Sequence, residues 1–312
     1  MNSNYEHVPV MLRESIDAMN IKSDGIYVDC TLGGGGHSLE ILKKLETGHL
    51  YCFEQDSFAI SFAEKKLSEI SNNFTIIHSN FVNLKSCLGE LGIDKVDGIL
   101  YDLGVSSFQI DIPNRGFSYI LDGPLDMRMD QNNQLTAYNV VNEYSENELK
   151  RVLYEFGEEK YAPLIAKKIV KERQNKEIET TFDLVNVIRK ALPAKILRIV
   201  SHPEKKTFQA IRIEVNKELE VLKKSLLDGL DLLKIGGRAV VISFHSLEDR
   251  IVKNTFKNKA TLNLPNGLPF IPEGYIIKFK IINNKVIVPN SEELKKNSRS
   301  HSSKLRIIEK IN

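Results

Sequence analysis

Short apolar runs alternate with amphipathic ones along the first third of the chain. Between the apolar runs, hydrophobic residues three and four positions apart predict helices. Strands that alternate with helices are typical of a parallel sheet covered by helices on both faces. Four runs rich in β-branched and aromatic residues predict buried strands: Ile26 to Cys30, Gly48 to Glu54, Phe74 to His78 and Val96 to Tyr101.

This alternation stops near Phe108. Asp111 to Asp130 is rich in Gly, Pro, Asn and Asp and is predicted to be a long loop, a kind of segment that usually serves as a lid or is disordered. Helical spacing dominates after it, in a block that also carries many Lys and Arg residues. The predicted helices are Ala137 to Asn142, Glu146 to Phe156, Tyr161 to Arg173 and Phe182 to Leu192.

The α/β pattern resumes after His202-Pro203. The predicted elements are a long helix (Thr207 to Leu233), a strand (Arg238 to Ser243), a helix (Leu247 to Phe256), a hairpin (Ile276 to Val288) and a last strand (Lys304 to Lys310). We therefore expect an α/β fold with a doubly wound, Rossmann-like sheet formed by residues 1–110 and 203–312. Residues 111–202 would form an inserted all-helical domain for substrate recognition, although a solvated helical surface explains its charges equally well.

Four consecutive glycines, Gly33 to Gly36, follow the first strand and precede a helical run. In doubly wound sheets such a loop binds a ligand, because glycine lets the ligand approach the backbone. The spacing differs from G-x-G-x-x-G, and Asp29 would repel a pyrophosphate. S-adenosylmethionine carries a sulfonium and an amino group and fits this acidic strand end better. The alternative is that the glycines only form a tight turn.

Acidic residues also end the second and fourth strands. Glu54 or Asp56, about 20 residues beyond the glycine loop, is placed to accept hydrogen bonds from ribose hydroxyls, while Asp56 could also cap the next helix. Asp102 ends the fourth strand and faces the mouth of the same site. Phe81, after the third strand, could lie against an adenine ring or belong to the core.

Composition is that of an ordinary soluble protein, with 42% hydrophobic and 27% charged residues. Met1 to Val10 has no signal-peptide core and no apolar run approaches the length of a membrane span, so we expect a cytoplasmic protein. Cys30, Cys52 and Cys87 lack C-x-x-C spacing and are expected to be small apolar core residues. No metal site is predicted, because Asp122, Asp126 and Asp130 do not follow a calcium-loop pattern.

Charge is unevenly distributed although the net charge is only +2. Residues 1–110 hold 8 Lys+Arg and 15 Asp+Glu, and the remainder holds 35 and 26. The basic excess beyond residue 110 is what a polyanion-binding part would show, and a lysine-rich solvated surface explains it too.

Several long motifs resemble those of the bacterial ribosomal RNA small-subunit methyltransferase H family, and they occur in the same order. His7-Val-Pro-Val10 and Ser303-Lys-Leu-Arg306 match at the two ends, so the resemblance covers nearly the whole chain. The motifs between them are Gly33-Gly-Gly-Gly-His-Ser38, Asp102-Leu-Gly-Val-Ser-Ser107, Arg115-Gly-Phe-Ser118, Asp122-Gly-Pro-Leu-Asp-Met-Arg-Met-Asp130, Thr207-Phe-Gln-Ala-Ile-Arg-Ile-Glu-Val-Asn216 and Ser243-Phe-His-Ser-Leu-Glu-Asp-Arg250.

The resemblance implies a class I S-adenosylmethionine-dependent methyltransferase that methylates N4 of one cytidine in the decoding region of 16S ribosomal RNA, within a small-subunit particle. It leaves open whether the chain is a monomer or a dimer. Two departures are visible, since Phe108 replaces a usual proline and Gln55 a usual basic residue. The cofactor contacts that it implies are Gly35, Gly36, His37, Asp56, Phe81, Asp102 and Gln109, of which Gln109 comes from the resemblance alone.

Asp102 is also the candidate catalytic residue. It could orient the cofactor and the target amine, or it could bind only the cofactor and leave the proton to water. His245 and Arg128 are further candidates, each as well explained by a structural hydrogen bond. Methylation at pyrimidine C5 is disfavoured, because it needs a cysteine nucleophile at the site mouth.

Two other functions stay open on the sequence. One is a cofactor- or RNA-binding module without catalysis, which intact Asp56 and Asp102 disfavour. The other is a methyltransferase acting on DNA amino groups, on another RNA or on a small molecule. A DNA enzyme of this kind would be expected to have a Ser/Asp-Pro-Pro-Tyr type of strand end where this chain has Asp102-Leu-Gly-Val.

Overall fold

The computed structural model describes residues 9–262 and 276–312, and His7 and Val8 of the first motif lie outside these ranges. Within the described part, seven strands form one sheet in the order β3-β2-β1-β4-β5-β7-β6. Strands β1 to β5 are parallel and β7 runs antiparallel between β5 and β6. The strands are β1 (Ile26–Asp29), β2 (His49–Glu54), β3 (Phe74–His78), β4 (Val96–Asp102), β5 (Leu233–Ser243), β6 (Phe279–Ile281) and β7 (Lys304–Lys310).

Helices cover both faces of this sheet, as the alternation predicted. In β4, Ile99 and Tyr101 pack into one apolar core with α4, α12 and α13, while Leu100 points into the other with α1, α2 and α3. The strand order reverses between β1 and β4, which is where doubly wound sheets bind ligands. The predicted class I methyltransferase fold is confirmed. The helices are α1 (Leu12–Met19), α2 (Gly36–Leu42), α3 (Ser57–Ser68), α4 (Leu84–Glu90), α12 (Glu218–Leu232), α13 (Ser246–Lys259) and α14 (Ser291–Lys296).

The predicted long helix from Thr207 to Leu233 is wrong. It is two helices, α11 (Lys205–Asn216) and α12, separated at Lys217, which has a left-handed φ of 52°. The apolar positions keep one helical spacing across the break, so the sequence does not reveal it. Phe208 and its neighbours on α11 nevertheless pack into the core of the helical unit, while Leu222 and Leu226 on α12 pack against the sheet. β5 ends at Ser243 as predicted but starts at Leu233, before the predicted Arg238.

The predicted hairpin between Ile276 and Val288 is also wrong. β6 and Ile287 both pair with β7 and not with each other. Asn283 replaces the missing ladder between them, because its side chain accepts from the Ile307 N–H at 2.8 Å and donates to the Leu305 carbonyl at 3.0 Å. The same side chain also donates to the nearby Lys285 carbonyl at 3.1 Å. Asn283 therefore combines a local bond with bonds to β7, and Asn283-Asn284 does not form a hairpin turn.

A helical unit follows β4 in the chain. Its helices α6 to α9 lie where the sequence predicted them, and their apolar faces meet in one core that also includes Phe208 and Ile211 of α11. Two short helices were missed, α5 and α10, and α10 buries none of its residues. The helices are α5 (Ser107–Asp111), α6 (Ala137–Glu143), α7 (Glu146–Gly157), α8 (Ala162–Arg173), α9 (Thr181–Ala191), α10 (Ala194–Ile199) and α11.

The long loop after α5 is ordered by two arginines. The buried Arg115 donates to the carbonyls of Arg128 and Met129 at 2.9 and 3.1 Å. Arg128 forms an ion pair of 2.7 Å with Asp126 and also donates to two loop carbonyls. Arg128 therefore has a structural role, and the aspartates of this loop are held in turns and ion pairs.

Contacts divide the chain into two compact units, Val105–Glu218 and the residues on either side of it. The helical unit is thus wider than the predicted 111–202, because α5 and α11 belong to it. Its role in substrate recognition stays a prediction. Among the described residues, no helix is long and apolar enough to cross a membrane.

Candidate active site

The candidate site begins at the buried carboxyl of Asp29, which ends β1. Its Oδ1 accepts from the Thr31 N–H at 2.9 Å, and its Oδ2 accepts from the Ser38 hydroxyl at 2.7 Å. Ser38 lies in the first turn of α2, so one side chain joins the strand end to the helix beyond the glycine loop. Asp29 therefore stabilises the two ends of the glycine loop.

The glycine loop takes conformations that side chains disfavour. Gly33 and Gly35 have φ values of 49° and 74°. A Cβ atom at Gly35 would lie 3.3 Å from the Cβ of Ala63, and one at Gly36 would clash with the Pro9 ring. Glycine is therefore required at Gly35 and Gly36, and with no side chains there the loop backbone stays accessible.

At the end of β2, Glu54 and Asp56 have different tasks. Glu54 Oε2 accepts from the Gly33 N–H at 2.8 Å, while its Oε1 accepts from the Gln55 and Asp56 N–H groups at 2.9 and 3.0 Å. Glu54 thus supports the glycine loop. Asp56 is buried and caps α3, since its Oδ1 accepts from the Phe58 N–H at 3.0 Å. The helix-cap role proposed for Asp56 is present, and it does not exclude a ribose contact.

Asp102, at the end of β4, is tied to β1 and to α2. Its N–H donates to the Thr31 hydroxyl at 2.7 Å, and its Oδ2 lies 3.5 Å from Nδ1 of the buried His37. Its Oδ1 is buried and has no hydrogen-bond partner among the residues that the structure describes. An acceptor left in this state at a ligand-binding edge is suited to a donor or a cation from a ligand.

His37 is held through its other ring nitrogen. Nε2 lies 3.2 Å from the Val10 carbonyl. Because a carbonyl can only accept, Nε2 must carry the hydrogen. Nδ1 therefore faces Asp102 either as an acceptor or, in the imidazolium, as a donor.

The electrostatics of the strand ends favour a cation. Burial, followed by the charges of Asp29 and Glu248, holds the pKa of Asp102 well above its ordinary value. Burial also raises the pKa of Asp29, against the hydrogen bonds that it accepts. A positively charged ligand stabilises the ionised form of carboxyl groups that lie this close together, whereas a phosphate would repel them.

Phe81 lies in a 3₁₀ turn after β3. Its ring meets that of Tyr101 edge to face, with centroids 5.8 Å apart, and it is partly buried. Asn80 before it donates to Gln55 Oε1 at 2.9 Å, which links the ends of β2 and β3. Gln55 therefore supplies a neutral bridge at the place where the sequence departs from the family pattern.

Two other predicted residues have local partners. Gln109 belongs to the helical unit, where it forms a capping box with Ser106 at the start of α5. Phe108 is buried at the second position of the same helix, and Gln109 beside it is buried as well. His245 caps α13, where its Nδ1 accepts from the Glu248 N–H at 3.4 Å. His245 thus has a structural hydrogen bond.

Sequence reasoning missed three residues of this site. Thr31, Ser38 and Val10 contribute a hydroxyl, a second hydroxyl and a carbonyl. Thr31 follows Asp29 by two residues, a spacing typical of turns in which an aspartate accepts from the backbone. Val10 carries no such signal, because any residue has a carbonyl.

A model of the MraW methylase family matches residues 4–311. The chain belongs to this family. Membership confirms the predicted methyltransferase class and S-adenosylmethionine as the cofactor.

Three proteins named ribosomal RNA small subunit methyltransferase H are similar to this MraW methylase over almost their full length. The one from Exiguobacterium sibiricum is 53% identical, over 98% of this chain and 99% of its own. Those from Streptococcus mutans and Mesoplasma florum are 52% and 55% identical, over 100% and 98% of this chain and 99% of their own. A solved rRNA methylase from Streptococcus thermophilus aligns with 98% of this chain over 99% of its own, at 11% identity and a TM-score of 0.44.

The raised pKa of Asp102 predicts that Asp102→Asn stabilises the protein. A carboxyl whose pKa is raised by folding costs stability at pH values above its unfolded pKa, and the cost vanishes below it. The gain in the free energy of unfolding should therefore grow as the pH rises from about 4 toward 7. Denaturant unfolding at several pH values measures it.

Asp97→Asn, at the other end of β4, is the matched control. Burial raises the pKa of Asp97, but hydrogen bonds from the Ile26 N–H and Lys234, with the charges of Lys234 and Lys22, lower it overall. This variant should lose stability at neutral pH, because folding favours the ionised form of Asp97. The loss should fade as the pH falls below about 4 and through the lowered pKa of Asp97. If Asp102→Asn instead destabilised the protein at neutral pH, the pKa of Asp102 would not be raised by folding.

Proposed function

We propose that this MraW methylase transfers a methyl group from S-adenosylmethionine to N4 of one cytidine in the decoding region of 16S ribosomal RNA. The observation that carries the cofactor part is the pair of crowded carboxyl groups beside a bare glycine backbone, namely the buried Asp29 and the half-buried Asp102. The substrate part is supported by relatives at 52–55% identity that are named for ribosomal RNA of the small subunit.

The residues present fit the cofactor. Asp102 offers a buried oxygen that lacks a partner among the described residues, and Gly35 lies in a conformation that leaves the loop backbone open. When bound, S-adenosylmethionine supplies an electrophilic methyl group on a sulfonium. The groups proposed to hold it are the backbone of Gly35 and Gly36 and the side chains of His37, Asp56, Phe81, Asp102 and Gln109.

Each proposed contact uses what the side chain can do. Asp56 would accept from ribose hydroxyls, as an acid at the end of the second strand does in related sheets. Phe81 would lie against the adenine, supported from below by the ring of Tyr101. Glu54 is less suited to the ribose, because both of its oxygens already accept backbone N–H groups.

The chemistry requires orientation above all. The exocyclic amine of cytosine is a weak nucleophile, since its lone pair is delocalised into the ring. The protein must hold the amine so that this lone pair points at the methyl group in line with the departing sulfur. We assign to Asp102 the acceptance of a hydrogen bond from the amine, with His37 Nδ1 lying 3.5 Å from its Oδ2.

The target base must leave its stack to reach the strand ends, which costs a few kcal/mol. A looped ribosomal RNA within a particle lowers this cost. Charge supports phosphate contacts by the C-terminal third of the chain. Residues 105–218 hold 18 Lys+Arg and 17 Asp+Glu, whereas residues 219–312 hold 17 and 9. The basic excess therefore lies in residues 219–312 and not in the helical unit.

Deleting the gene should remove N4 methylation from one decoding-region cytidine of 16S ribosomal RNA. Mass spectrometry of nuclease fragments from wild-type, deleted and complemented cells measures this. Purified protein should then transfer labelled methyl groups to small-subunit particles from the deleted strain. If the cytidine kept its N4 methyl group in the deleted strain, the proposed function would be rejected.

Replacing Asp56 should weaken cofactor binding. Asp56→Ser shortens the side chain but keeps a helix cap, so it separates the ribose contact from the stability of α3. We expect a loss of roughly 1–3 kcal/mol in the binding of S-adenosylhomocysteine by calorimetry, with little change in melting temperature. Asp56→Ala should lose both cofactor affinity and stability, because it removes the ribose acceptor and the helix cap. Wild-type affinity in Asp56→Ser would remove Asp56 from the site.

Reversing the charges of Lys253 and Lys257 should weaken RNA binding. Both are exposed on α13 one turn apart. If each neutralises one phosphate, the double variant to Glu should flatten the plot of log affinity against log salt by about 1.5. The matched control reverses Lys65 and Lys85, which are exposed in the acidic first part of the chain. An equal effect in both pairs would indicate net charge alone.

A further inference from the structure

One peptide group ahead of α1 is held from both sides. The Val10 carbonyl accepts from His37 Nε2 at 3.2 Å, and the N–H of the next residue, Met11, donates to Glu293 Oε1 at 2.7 Å. The carbonyl and N–H of a trans peptide point in opposite directions. His37 and Glu293 therefore grip the Val10–Met11 peptide from opposite sides.

Met11 has a backbone conformation that needs such support. Its φ of 50° is left-handed although it is not a glycine, a strained state that persists only where the surroundings enforce it. The side chain is fully buried, and its carbonyl accepts from the Ser15 N–H at 2.9 Å, which starts α1. The bond to Glu293 fixes the remaining backbone group of Met11.

Glu293 is itself placed by a helix cap. Asn290 Oδ1 accepts from the N–H groups of Glu292 and Glu293 at 3.0 and 2.9 Å, which fixes the first turn of α14. The two side chains of this turn then differ. Glu293 reaches Met11, while the exposed Glu292 forms an ion pair of 2.7 Å with Lys296 on the same helix.

His37 links the Val10–Met11 peptide to the candidate active site. The Val10 carbonyl fixes the hydrogen on Nε2 and the direction of the ring, and the same ring places Nδ1 3.5 Å from Asp102 Oδ2. A carboxyl beside a His nitrogen of fixed tautomer has a defined orientation. Turning the Val10–Met11 peptide would release the ring and with it that orientation.

We propose that Glu293 is a positioning residue of the active site: through the Val10–Met11 peptide it holds His37 in the orientation that aligns Asp102. The proposal rests on the proposed function only in that Asp102 faces the cofactor. It gives α14, distant from the other site residues in sequence, a defined role in the cofactor site.

Three variants test this role in the full-length protein. Glu293→Ala removes the acceptor for the Met11 N–H. Glu293→Gln keeps an oxygen that can accept the same hydrogen bond. Glu292→Ala perturbs the same helix turn without touching Met11 and serves as the matched control.

The direct readout is the ring of His37 in ¹⁵N-labelled protein, identified among the seven histidines by its absence in His37→Gln. Glu293→Ala should shift its nitrogen resonances toward those of an imidazole exchanging between tautomers, while the other two variants should leave them unchanged. Affinity for S-adenosylhomocysteine should fall by about 5-fold in Glu293→Ala, the equivalent of one hydrogen bond, and stay within about 2-fold in Glu293→Gln.

A merely structural role would lower the melting temperature without moving the His37 signals at a temperature where the protein is folded. That result would overturn the proposal. So would equal losses in Glu293→Gln or in Glu292→Ala. The ring signals do not depend on RNA or on the cofactor, so a wild-type protein that failed to methylate ribosomal RNA would overturn the proposed function and leave this test intact.

Discussion

The carboxyl group of Asp29 is the interaction on which the candidate site depends. It accepts hydrogen bonds from Thr31 and Ser38, and the hydroxyl of Thr31 in turn accepts from the N–H of Asp102. The end of β1, the first turn of α2 and the end of β4 are joined in this way at the point where the strand order reverses. Since the group is buried, its removal would leave several donors unpaired, which costs more than the bonds themselves contribute.

The crowded carboxyl groups of the candidate site favour a cationic ligand. Folding brings Asp102 close to Asp29 and Glu248, and burial and these charges together raise its pKa. An isolated arrangement of this kind is unfavourable, and a cationic ligand relieves it. The site thus combines a bare glycine backbone for close approach with an electrostatic preference that a pyrophosphate could not satisfy.

The helical unit stands on a core of its own. Apolar residues of α6 to α9 pack together with Phe208 and Ile211 of α11, and Arg115 and Arg128 order the loop that leads into it. Its near balance of acidic and basic residues shows that the basic excess of the chain belongs to the C-terminal third. Residues 111–202, the bounds predicted from the sequence, are balanced as well, with 14 Lys+Arg and 14 Asp+Glu.

Sequence by itself determined the sheet, because each strand carries its own apolar run, and it determined the acids at the strand ends, because parallel strands present those ends at one edge. It could not separate α11 from α12, where one stripe serves two cores, or distinguish a hairpin from two segments paired with β7. The contacts of His37 with Val10 and of Glu293 with Met11 were decided by tertiary structure alone. Backbone carbonyl and N–H groups are the same in every non-proline residue, so no pattern of side chains records which of them will be held.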